Sequence, residues 1–112
     1  MKEVPKRVKR ALRELATEAY ELELRRALLP LAEVFEAWKL GKVSSDAVVE
    51  AIHAFHQGAA RELYVKYERR YIRSSVARAI ATGILSPERV PPDVLAHLAN
   101  TIEFFAGEEP QS

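Results

Sequence analysis

Hydrophobic residues near the N-terminus recur every three or four positions, which is the spacing of one face of an α-helix. The first stripe consists of Val8, Leu12, Leu15, Ala19 and Leu22. A second stripe, rotated from the first by about a third of a turn at roughly 100° per residue, consists of Leu24, Ala27, Leu31, Val34, Phe35 and Trp38. Two stripes on one helix predict two different packing surfaces.

The first helix is predicted to begin near Pro5 and to end near Leu40, where Gly41 can form a left-handed cap. At 1.5 Å per residue its length is about 51 Å, whereas a compact domain of this size has a radius of gyration of about 13 Å. Pro30 cannot donate a hydrogen bond to the carbonyl of Arg26, and its ring crowds that turn. We expect the helix to be kinked or broken near Pro30, or to project and pack on a partner chain.

Start signals along the rest of the chain predict further helices. Ser44 or Ser45 is predicted to cap a helix that extends to about Arg70. Its large apolar face consists of Val48, Ile52, Phe55, Ala59 and Leu63, and a face of small residues consists of Ala47, Ala51, Ala54 and Gly58. Ser74 or Ser75 is predicted to cap a short helix that Gly83 closes.

Ser86-Pro87-Glu88 is another helix-start signal, and Pro91-Pro92-Asp93 opens a last helix that Gly107 ends. No alternating strand pattern is present. The sequence therefore predicts an all-α fold, a bundle of four to six helices. We expect one domain over residues 1–107 and a frayed tail at 108–112.

Composition narrows the functional classes. The chain has 112 residues, of which 48% are hydrophobic and 29% are charged, a balance typical of a globular domain. It contains no cysteine, which excludes a disulfide scaffold, a zinc-thiolate module and a cysteine nucleophile. No apolar run approaches the roughly 20 residues that cross a bilayer. We expect a cytoplasmic protein with no membrane partner.

Charge is unevenly distributed although the net charge is only +1. Bases dominate residues 1–13 and 61–78, whereas acids dominate 14–36 and 86–112. In the second basic block, tyrosines are interleaved with Lys66, Arg69, Arg70 and Arg73, side chains that could bind phosphates and stack on bases. Nucleic-acid binding through 61–78 is thus one hypothesis. The near-neutral net charge favours the other, in which basic and acidic blocks pair within the fold or across a dimer.

The histidines allow a metal hypothesis. Glu50, His53 and His56 are spaced as ligands on one helix, and an E-x-x-H pair occurs in helical di-iron proteins. A second copy of the chain would have to complete such a site. On a helical wheel the three side chains fan from the apolar side to the solvent side, so a structural or solvated role is favoured. No catalytic residues and no cofactor are predicted, and the sequence favours a non-enzymatic role.

Three segments resemble a small uncharacterised family of bacterial all-helical proteins: His53–Tyr64 (HAFHQGAARELY), Val76–Leu85 (VARAIATGIL) and Val90–Pro92 (VPP). The resemblance implies a helical fold and a bacterial origin, and it transfers no site. The chemistry of the first segment makes it the candidate functional surface. That surface consists of His53, His56, Arg61, Glu62 and Tyr64.

Self-association is the leading functional hypothesis. The predicted helices have more apolar faces than a chain of this length can cover, and uncovered apolar faces mark interfaces. A two-fold dimer closes such a contact most simply, and Leu12, Leu15 and Leu22 are the candidate interface residues. We therefore expect a small helical protein–protein interaction or accessory module that forms a homodimer, with another protein as a further candidate partner. Nucleic-acid binding is the alternative, and a metal-dependent helical-bundle enzyme assembled across a dimer is the third.

Overall fold

A computed structural model describes residues 4–108, and 85% of these residues are helical. The α-helices are α1 (Lys6–Lys39), α2 (Ser45–Phe55), α3 (Arg61–Lys66), α4 (Ile72–Ala81) and α5 (Pro92–Glu108). A π-helical turn, His56–Ala60, joins α2 to α3, and short 3₁₀ turns at Arg69–Tyr71 and Pro87–Arg89 precede α4 and α5. The described residues contain no strand, and the all-α prediction is confirmed. The predicted tail, 108–112, lies outside the described residues except for the backbone of Glu108.

The first helix runs without interruption from Lys6 to Lys39, so the predicted break at Pro30 does not occur. Proline removes one backbone donor, and Arg26 and Pro30 are both exposed, so water can reach the carbonyl that Pro30 leaves unpaired. The helix ends as predicted at Gly41, whose φ of +78° lies in the left-handed region.

The chain divides into two compact units. The terminal unit contains residues 4–20 and 66–108 of the described chain, and the central unit is Glu21–Val65. Helix α1 contributes its first part to the terminal unit and the rest to the central unit. That residues 1–107 form one domain stays a prediction.

The terminal unit has a continuous apolar core in which α4 and α5 pack together. The residues of the first α1 stripe from Val8 to Ala19 are also buried in this unit. An ion pair between Arg7 and Asp93 and a second between Arg89 and Glu18, at 3.0 Å, link α1 to the start of α5 and to the turn before it. The buried side chains are Val8, Leu12, Leu15, Ala16, Ala19, Val76, Ala77, Ala79, Ile80, Leu85, Val90, Val94 and Leu98.

The central unit has far less interior. Among its described residues, Val48 and Leu63 are the only buried hydrophobic ones, and each is 7% exposed. Local hydrogen bonds stabilise the connection between α1 and α2. Ser44 caps α2 by accepting from the backbone N–H of Ala47 at 3.0 Å, as predicted. The indole N–H of Trp38 donates to the hydroxyl of Ser45 at 2.9 Å, which ties the end of α1 to the start of α2.

The start of α4 differs from the prediction. Ser74 and Ser75 do not cap it, because the 3₁₀ turn before it starts the helical conformation earlier and α4 begins at Ile72. The hydroxyl of Ser74 instead donates to the carbonyl of Tyr71 at 3.1 Å. The buried hydroxyl of Ser75 donates to the carbonyl of Lys66, so it anchors the end of α3.

We expect Leu98→Ala to lower the free energy of unfolding by about 2–5 kcal/mol, because Leu98 is fully buried and its truncation leaves a cavity. Urea denaturation followed by circular dichroism measures this loss. Phe104→Ala is the control on the same helix, since Phe104 is 61% exposed and should change stability little. Equal losses in the two variants would contradict the assigned core.

We expect Pro30→Ala to stabilise the protein, by at most about 3 kcal/mol, because alanine restores the missing helical hydrogen bond within α1. Thermal unfolding at 222 nm measures the change. Glu33→Ala, at an exposed nearby position of α1 outside the apolar surface, controls for the general effect of alanine on helix propensity. A lower melting temperature for Pro30→Ala than for the wild type would show that the proline supports the native helix.

Candidate functional site

The candidate functional surface lies on both sides of the π-helical turn. His53 is in α2, His56 begins the turn, and Arg61, Glu62 and Tyr64 are in α3. All five side chains are exposed, and none has a hydrogen-bond or ion-pair partner among the described residues. Among the described residues, these five side chains form no hydrogen-bonded nucleophile–base pair.

The π-helical turn changes which side chains share a face. A π turn contains about one residue more than an α turn, so the residues after it are rotated back by about 100°. Along the continuous helical segment formed by α2, the π turn and α3, this rotation brings Arg61 and Tyr64 to the side that carries His53 and His56. It also brings Leu63 to the side of Val48, and these are the two residues that are buried.

The same exposed side carries apolar residues. Val49 is 61% exposed and Tyr64 is 66% exposed, and Ile52 and Val65 are also largely open to solvent. Sequence periodicity places Ile52 on the large apolar face with Val48 and Leu63, and in the structure Ile52 is 42% exposed whereas the other two are buried. Of the face of small residues, Ala47, Ala51 and Gly58 are half-buried, whereas Ala54 is exposed.

The basic segment is partly engaged within the terminal unit. Arg73 donates to the backbone carbonyl of His97 in α5. Arg70 pairs with Glu68 at 3.3 Å, and its guanidinium lies 5.3 Å from the ring centre of Tyr71. Two of the candidate phosphate-binding arginines therefore have partners within the fold, and nothing in this arrangement adds support to nucleic-acid binding.

The metal candidates do not come together as a site. Within residues 4–108 no group of three or more histidine, aspartate or glutamate side chains is placed to hold a metal ion. Glu50, His53 and His56 are all exposed on the α2 run. A site completed by a second copy of the chain stays a hypothesis.

The predicted interface residues have different environments. Leu12 and Leu15 are only 6% and 7% exposed, because the core of the terminal unit covers them. They are unsuited to a dimer contact, since a partner would reach them only if that unit opened. Leu22 is half-buried in the central unit.

The second part of α1 carries an exposed apolar surface, and the sequence pattern predicts only some of its residues. Phe35 and Trp38 were recognised as members of a stripe, but Leu28, Leu29 and Leu40 were not. All five are exposed by 37% or more. A sequence signal for the missed residues exists: this part of α1 has more large apolar residues than fit on a single stripe of the helix.

The comparisons with known proteins leave the family open. No protein-family model, no curated protein and no solved structure is significantly similar to this chain. The resemblance of segments 53–64, 76–85 and 90–92 to a bacterial helical family therefore stays a prediction. No helix of the described residues is long and apolar enough to cross a membrane.

We expect Arg73→Gln to lower the free energy of unfolding by about 1 kcal/mol, because the charged donor to the carbonyl of His97 is lost. Arg69→Gln removes the same charge at an exposed position that makes no such contact and should leave stability unchanged. Urea denaturation of the two variants measures the difference. If both were as stable as the wild type, Arg73 would have no structural role.

Proposed function

We propose that this protein is a small helical protein–protein interaction module that pairs with a second copy of itself through the central unit. The observation that carries the proposal is the uneven distribution of exposed apolar side chains. Of the eleven large hydrophobic side chains that are exposed in the described chain, nine lie in the central unit: Leu28, Leu29, Phe35, Trp38, Leu40, Val49, Ile52, Tyr64 and Val65.

This distribution matters energetically because each buried Å² of apolar surface contributes about 25 cal/mol to stability. Only two hydrophobic residues of the central unit, Val48 and Leu63, are buried within the described chain, so the unit gains little from its own interior. Contiguous exposed apolar surface is rare on monomeric proteins and marks interaction sites. Covering this surface in a complex would supply the burial that the unit lacks.

The second part of α1 has the spacing of a helix–helix seam. Leu24, Leu28, Leu31, Phe35 and Trp38 follow one another at intervals of four, three, four and three residues. This is the heptad spacing of the inward positions in helices that pack side by side. The seam lies on one helix face, and Leu28, Phe35 and Trp38 leave it largely open to solvent.

A depression of about 250 Å³ on α1 fits the same packing mode. Its lining consists of Glu21, Leu24, Arg25, Leu28, Leu29 and Ala32. These residues make two overlapping sets spaced i, i+3, i+4 and i+7, the first starting at Glu21 and the second at Arg25. Four residues of that spacing surround the hole that receives one side chain of a facing helix.

A second copy of the chain is the partner that these features favour. The holes lie near the start of the seam, and the large side chains that could fill them, Phe35 and Trp38, lie near its end. In an antiparallel pair of α1 helices with its two-fold axis near Leu31, Phe35 and Trp38 of each helix lie opposite the holes of the other. A self-complementary surface of this kind forms a closed dimer.

We expect light scattering to give a mass near twice 12.6 kDa for the wild type at high micromolar concentration. Leu28→Asp should shift the mass toward that of one chain, because it places a charge in the seam. Leu28 is 42% exposed, so the helix content of the variant should be unchanged in circular dichroism. Arg26→Asp introduces the same side chain on an exposed part of α1 outside the seam and should remain dimeric.

Trp38, the single tryptophan, gives an independent measurement. Its indole is 42% exposed in the chain, so burial in a dimer should move its emission to shorter wavelength as concentration rises. A mass of one chain and an emission spectrum independent of concentration would refute the proposal. If Ile52→Asp, and not Leu28→Asp, dissociated the dimer, the contact would lie on the α2–α3 face and the α1 seam would be excluded.

A further inference from the structure

A cleft of about 180 Å³ in the terminal unit has a lining suited to an anion. Six residues line it: Lys66 at the end of α3, Tyr71 before α4, Ser74, Ser75 and Arg78 on α4, and Phe105 on α5. Two of these side chains are cationic and none is acidic. The surrounding segment, 61–78, carries a formal net charge of +4, which raises the local concentration of anions.

The donors that remain available can be identified from the hydrogen bonds. Ser74 and Ser75 already donate their hydroxyl hydrogens to the carbonyls of Tyr71 and Lys66. The guanidinium of Arg78 has no partner among the described residues, and the phenol O–H of Tyr71 has none either. Arg78 therefore supplies the planar fork that matches an oxyanion, and Tyr71 supplies one further donor.

The remaining lining limits the kind of ligand. Phe105 is half-buried, and its ring together with that of Tyr71 gives the cleft an apolar side. The volume is below the range of about 300–1,000 Å³ typical of sites for drug-sized ligands. The cleft is thus large enough for one oxyanion and a small apolar group, and too small for a whole nucleotide.

We propose that this cleft is a binding site for a small organic anion, with the oxyanion held by Arg78 and the phenol O–H of Tyr71 and the apolar part against the ring of Phe105. The shared chemistry is an oxyanion attached to a compact ring, as in an aromatic carboxylate or an aromatic phosphate monoester. The site belongs to the terminal unit alone, so it is independent of self-association through the central unit.

Titration of the full chain with benzoate and with phenyl phosphate, followed by amide shifts in NMR spectra, tests the site. We expect the largest shifts at Ser74, Arg78 and Phe105 for at least one of the two anions, and the stronger binder identifies the preferred oxyanion. Arg78→Gln should weaken that binding at least about tenfold, because it removes a charged fork. Arg10→Gln, at another exposed arginine, is the matched control and should bind as the wild type does.

Two further probes separate specific recognition from simple charge attraction. Benzylamine carries the ring with the opposite charge and should not bind. Inorganic phosphate lacks the ring and should bind more weakly than phenyl phosphate, and Phe105→Ala should remove that difference. No shifts with either aromatic anion at millimolar concentration, equal binding by Arg78→Gln, or binding of benzylamine at the same residues would overturn the proposal.

Discussion

The apolar face of α1 changes direction between Ala19 and Leu24, and most of the structure follows from that change. Before it, the residues of the stripe from Val8 to Ala19 are buried within the terminal unit. After it, the stripe is half-buried or exposed, because the central unit supplies few side chains to cover it. Helix α1 therefore combines a first segment whose apolar residues are buried within the chain with a second segment whose apolar residues remain partly exposed to solvent.

Caps and turns were predictable because they depend on a few neighbouring residues. Gly41 and Gly83 both adopt positive φ, and Ser44 and Ser86 both accept a backbone N–H at the start of a helical turn, as their sequence context indicates. The misplaced start of α4 has a different cause. The buried hydroxyl of Ser75 is used for a contact with Lys66, nine positions earlier, and a local signal carries no information about such a contact.

Burial was harder to predict than helix position. A helical wheel assumes about 100° of rotation per residue, so it predicts the buried face correctly only for a regular α-helix. The π-helical turn that begins at His56 interrupts this regular rotation. Similarly, the charge distribution along the sequence identifies a basic segment, but it does not show which of its basic side chains have partners within the fold. Arg73 reaches the carbonyl of His97, 24 positions away, whereas Arg78 on the same helix has no partner in the described chain. The candidate site followed from this difference and not from the count of bases.

The π-helical turn at His56–Ala60 also bears on how this chain can be compared with others. Gly58 lies within the turn, and a Cβ added there would have no atom within 4 Å apart from its chain neighbours and the backbone of its own helix. A chain with one residue fewer at this position could form an unbroken α-helix and still present the same faces on both sides of it. Relatives of this protein would then align with a single gap inside a helix, at a place where gaps are ordinarily disallowed. An alignment that refuses that gap would pair Leu63 with a surface residue and hide the correspondence of the two cores.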